Sequence, residues 1–128
     1  MANRYNRQEV LMMLTDMAKS VCDNVFVSTR PQSKQPYNEF LVVRVGNIDP
    51  YAQTHNIATV QINCFAKDRD GGVEAADRIE TLIDGVTSLL PFDNERMSCN
   101  ENPIILPSVS DGMGYHAVII QFKLIIKL

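Results

Sequence analysis

The chain has 128 residues, 45% of them hydrophobic, with a net charge of −3 at neutral pH and an isoelectric point near 5.3. That length and apolar content can bury a core without disulfides or metal, which argues for a single domain over 1–128 and against a disordered or low-complexity chain. The acidic balance and the absence of a Lys/Arg cluster argue against specific nucleic-acid binding, which draws its affinity from clustered contacts to phosphate.

The opening segment MANRYNRQEV has no apolar signal core, and a soluble protein made in a cytoplasm is expected. Asn6 followed by Glu9 has the pattern of a capping box, and beyond it Val10, Leu14, Met17, Ala18 and Val21 recur at helical spacing, predicting a helix over 7–22. Its opposite face carries Gln8, Met12, Thr15, Asp16 and Lys19, so Met12 is the one large apolar group directed away from the core. Residues 25–30 are short and rich in β-branched side chains, Pro31 and Pro36 then bound a loop, and 39–48 is again rich in Val and Leu. Two strands joined by a Pro-bounded loop are expected. The segment DPYAQTH (49–55) reads as a turn, after which Ala58, Val60, Ile62, Cys64 and Ala66 alternate with Thr59, Gln61, Asn63 and Phe65 as in a strand with one apolar face.

KDRDGGVEAADRI (67–79) places Asp68 and Asp70 beside a Gly-Gly pair. A calcium loop read from Asp68 would need a ligand where Gly72 stands, glycine where Val73 stands and glutamate where Ile79 stands, so the register fails. Asp70 is expected instead to cap a helix. From Gly72 onward Ala76, Ile79, Leu82, Ile83, Val86, Leu89 and Leu90 form one stripe, with Glu74, Asp77, Glu80, Thr81, Asp84 and Ser88 on the other side, and Pro91 stops the helix.

Residues 92–102 read as a polar loop, 104–109 as a short strand broken by Pro107, and 115–127 as a long strand. GMG (112–114) precedes that strand and serves as a tight connection. One face of the last strand carries His116, Val118, Ile120, Phe122, Leu124 and Ile126. The other carries Tyr115, Ala117, Ile119, Gln121, Lys123, Ile125 and Lys127, too oily for plain solvent, and points to another subunit or to a curl of the sheet. The stretch 118–128 is interrupted by Gln121, Lys123 and Lys127 and is too short to span a bilayer, so no membrane partner is expected.

Cys22, Cys64 and Cys99 are odd in number and widely spaced, as expected of reduced, buried thiols. His55 and His116 have no companion at metal-ligand spacing, and Ser108, Ser110, Asp111 and His116 lack the GxSxG elbow of a hydrolase nucleophile. No catalytic, metal or cofactor residue is assigned, and the protein is not expected to be an enzyme. The expected fold is α+β: a single, mostly antiparallel sheet of about five strands covered by two amphipathic helices, in the order α-β-β-β-α-β-β.

The runs PYNEFLVVRV (36–45), TVQINCFAKDRDGGVEAADRIETLIDGV (59–86) and GYHAVIIQFKLII (114–126) together resemble phage tail terminator, or tail completion, proteins. In that family an N-terminal helix precedes a proline-bounded strand, a strand of the form v-q-i-x-x-[fy]-a runs into a helix, and a hydrophobic strand closes the chain. The resemblance covers most of the chain from Arg7 onward. It implies a non-enzymatic virion protein that assembles as a ring, typically a homohexamer, at the end of the tail tube, with the tail tube protein and the head–tail connector as partners. Virion localisation, in a phage or prophage tail, follows from the same likeness. An acidic ring lumen would repel passing DNA.

The family offers no motif that assigns single interface residues, so the candidates are physical. The loops 31–38, 49–56 and 92–102 contribute the aromatics Tyr37, Tyr51 and Phe92. Met12 and the mixed-face residues Ile119 and Ile125 complete the set. A small binding or regulatory module that uses an exposed sheet edge, and an enzyme with a dispersed site, are the competing readings.

Overall fold

The structure, a computed structural model, describes residues 7–28, 37–52 and 55–127, with the side chains of Tyr51 and Ala52 left out. Two helices lie on one face of an eight-stranded sheet. The elements are α1 (Arg7–Ala18), β1 (Val25–Val27), β2 (Glu39–Ala52), β3 (His55–Lys67), α2 (Ala76–Thr87), β4 (Phe92–Asp93), β5 (Met97–Cys99), β6 (Ile104–Ile105), β7 (Val109–Ser110) and β8 (Tyr115–Lys127). The α+β class is as expected. The sheet has eight strands where about five were expected, because residues 92–110 are not a loop and one broken strand but four short pieces. β5, β6 and β7 pair in succession along one edge of β8, and β4 pairs with β5. Pro103 and Pro107 flank β6, and a residue without an N–H cannot extend a ladder.

The long strands β2, β3 and β8 form the body of the sheet, and β3 and β8 stay in antiparallel register from His55↔Lys127 to Lys67↔Tyr115. β2 and β3 pair from Glu39↔Ala66 to Ala52↔His55, so most of the expected turn at 49–55 is strand. β1 pairs parallel to β2, which excludes a hairpin between them.

Alternation then decides what is inside. Leu41, Val43, Val45, Ala58, Val60, Ile62, Cys64, Val118, Ile120, Phe122, Leu124 and Ile126 face the helices and form the main core with Val10, Leu11, Leu14, Ile79, Leu82 and Val86. α1 ends at Ala18, short of the expected Cys22, and its last turn is continued by Val21 N–H and Cys22 N–H donating to Ala18 O. The capping box on Asn6 falls outside the described residues.

Asp70 does not cap α2. It lies in a short 3-10 turn, Asp70–Gly72, in which Gly71 (φ 79°) and Gly72 (φ 76°) adopt left-handed backbone, so the helix cannot be continued back to them. Ala75 occupies the N-cap position with no side-chain cap, and the carboxylate in the first turn is Asp77. Ala76, placed on the apolar stripe by spacing, is exposed. The connection before β8 is tight as expected: Gly112 and Gly114 have positive φ, and Asp111 Oδ1 accepts from Met113 N–H at 2.7 Å and Tyr115 N–H at 3.1 Å.

Candidate assembly surface

Helices cover one face of the sheet, and the opposite, outer face divides into two zones. At one end lies a second hydrophobic cluster of Phe40, Val42, Phe65, Tyr115 and Ala117, with Phe26 and Tyr37 packed against it. Phe40 and Phe65 stack with ring centroids 4.5 Å apart, while Tyr115 and Phe26 meet Phe40 edge-on at 5.3 and 5.8 Å. The Tyr115 hydroxyl donates to Tyr37 O at 2.7 Å and closes the cluster. These residues come from β1, β2, β3 and β8 and from Tyr37 just before β2, so register alone brings them together.

The rest of the outer face has no second layer among the described residues. Its rows pair Asn63 with Ile119, Gln61 with Gln121, Thr59 with Lys123 and Ile57 with Ile125. Ile57, Ile119 and Ile125 are half-buried there. Gln61 Nε2 donates to Gln121 Oε1 at 3.0 Å, whereas Asn63, only 7% exposed, has an Oδ1 with no partner. Arg44, Lys67 and Lys123 project from this face and are exposed.

Beside it runs an apolar edge. Ile104 (58% exposed), Ile105, Leu106, Val109 (58%) and Met113 are all exposed large hydrophobics within one short segment. Leu106 N–H donates to Ile119 O, so β6 uses its inward edge on β8, while the flanking Pro103 and Pro107 blunt the outward one. Such an edge presents side chains more readily than backbone to a partner.

Several titratable groups make contacts within the protomer. His116 Nδ1 and Asp68 Oδ1 lie 2.6 Å apart in a mostly buried pair that ties the start of the 68–75 connection to β8, joined there by Asp68 N–H donating to Gly114 O at 2.8 Å. Ser110, opposite His116 in the register, accepts from Gly112 N–H through its hydroxyl. Arg69 bonds Asp77 at 2.5 Å, and that hydrogen bond holds the Asp77 carboxyl below its ordinary range. The three cysteines are free and buried. Burial pushes the Cys64 thiol up to about 12, with repulsion from Cys22 adding to it, and raises Cys22 and Cys99 as well.

The sequence-derived candidates scatter. Met12 is 60% exposed on α1, on the helix side of the molecule. Tyr37 packs on the outer aromatic cluster, and Phe92 is half-buried against the main core at the start of β4. Ile119 and Ile125 share the outer face. Tyr51 lies in β2, with its side chain outside the described residues. Sequence reasoning missed Ile104, Leu106 and Val109; the signal was the run PIILPSV, whose bounding prolines mark an edge.

No family model matches the chain, and no curated protein matches it. Among solved structures, one to which the chain is similar shares 14% sequence identity at a TM-score of 0.58, the match covering 95% of this chain and 93% of that one. At that identity the likeness establishes a shared fold.

Proposed function

We propose that the protein is a phage or prophage virion structural protein of the tail terminator (tail completion) kind. On this reading copies associate into a ring, a homohexamer if it follows the family, that caps the tail tube and presents a surface to the head–tail connector. It acts without catalysis or cofactor. The observation that carries the reading is a sheet whose helix layer, among the described residues, lies on one face: half-buried Ile57, Ile119 and Ile125 and exposed Ile104, Ile105, Leu106 and Val109 border the other. Apolar surface of that kind marks a contact with another chain.

A second reading, a binding module that adds a partner's strand, is favoured by β2. Its pairing with β1 stops at Val43, so the edge beyond it is not covered by a described strand. Light scattering and negative-stain imaging of the purified protein, alone and with tail tubes, separate the two. Rings in solution or capping of tube ends is the expected result. A protein that stays monomeric at every concentration and leaves tube ends bare would overturn the virion reading and favour the module.

A further inference from the structure

The charges of this protein are segregated across the plane of its sheet. Between Asp70 and Ser88 the chain carries Asp70, Glu74, Asp77, Glu80 and Asp84 against Arg78 alone, an excess of acid larger than the net −3 of the whole chain. On α2 itself Asp77, Glu80 and Asp84 are exposed on the side away from the sheet, while Ile79, Leu82 and Val86 are buried. The outer sheet face, on the opposite side of the molecule, carries exposed Arg44, Lys67 and Lys123, with Lys127 at one end bonded to Asp93 at 2.5 Å. Asp49 lies beside Ile57 on the sheet face and Arg69 is bonded to Asp77, so it is on balance that each protomer presents an acidic back and a basic front.

We infer that copies of this chain associate head to tail, the basic outer sheet face of one protomer seated on the acidic α2 face of the next. The inference rests on the assembly reading above and specifies the surfaces that meet. A two-fold contact made through either face would set sheet against sheet or helix against helix, bringing like charges together. Only a heterologous contact pairs the two patches, and such contacts close into rings or run on as filaments. One further observation fits this surface. Exposed apolar side chains accompany both patches: Ile104, Leu106 and Val109 beside the sheet face, and Val73 within the acidic 70–84 segment.

The test uses two charge-reversed variants at exposed positions, Glu80→Lys/Asp84→Lys and Arg44→Glu/Lys123→Glu, followed by sedimentation velocity. Circular dichroism checks that each remains folded. Each variant alone should associate roughly tenfold or more weakly than wild type at low salt. Mixing the two should restore association, because each then offers the complement of the other's altered face. Wild-type association should also weaken as salt rises toward about 1 M, where the screening length falls to roughly 3 Å. Rings that form equally well in both variants would overturn the head-to-tail contact and leave the proposed function standing. A mixture no better than its components would overturn it too. A wild type that never assembles, in solution or on tubes, would remove both the contact and the function it serves.

Discussion

Gly85 sits inside α2, where alanine would ordinarily be the better helix former by about 1 kcal/mol. Here the neighbouring chain reverses the sign. A Cβ at position 85 would lie 2.6 Å from Val21 Cγ1, and 3.5 Å from Val21 Cβ and Cγ2, just past the end of α1. Valine has little χ1 freedom to move aside, and Val21 is packed against the main core, so the overlap must push the two helices apart. Overpacking of this sort costs about 1–3 kcal/mol. Set against the propensity gain, Gly85→Ala should destabilise by roughly 1 kcal/mol. In a Val21→Ala background the obstruction is gone, and the same substitution should stabilise by up to about 1 kcal/mol, a coupling of roughly 2 kcal/mol between the two sites. Urea unfolding followed by circular dichroism reads this as a shift of midpoint at constant slope, with protomer concentration held fixed because association adds stability. If Gly85→Ala raises the midpoint in the wild-type background, the close approach of α2 to Val21 is not present in solution.

Three other outcomes follow from the packing and the thiols. Phe40→Ala should cost about 3–5 kcal/mol, since the ring is fully buried and stacked on Phe65, and a loss under about 1 kcal/mol would show that the outer aromatic cluster is not closed. Cys64 is raised from 9.0 to about 12 in the folded state, so an unfolded thiol ionises first. Stability is therefore fully present below about pH 9 and falls above it by up to about 1.4 kcal/mol per pH unit. Cys64→Ala should flatten this alkaline slope in urea titrations, and parallel slopes for the two proteins would refute the assignment. Asp68→Ala leaves His116 without its partner in a mostly buried site and should lower stability by about 1–3 kcal/mol, measured by the same unfolding midpoint; an unchanged midpoint would mean that the pair does not tie the 68–75 connection to β8.

Side-chain period is a local property, and where it was clear the sequence already contained the answer. The stripes Val10, Leu14, Ala18 and Ile79, Leu82, Val86 place two helices, and alternation through Ala58–Ala66 and Val118–Ile126 places two long strands and their inward faces. The three thiols are buried, as their spacing and apolar settings implied. Asp70 failed as a cap because two positive-φ glycines intervene, a backbone choice that the capping pattern does not encode.

The sequence by itself thus determined that two helices and the long strands β3 and β8 form, and which side of each is apolar. Only the tertiary structure decided that β1 runs parallel to β2 and that residues 97–110 break into three pieces along β8. It alone gathered Phe26, Phe40, Phe65 and Tyr115 into one cluster and set Arg44 and Lys123 on the face opposite Glu80 and Asp84. The reason is physical: these arrangements depend on register between strands far apart in the chain, and a one-residue slip in any pairing would send every side chain of that strand to the other face.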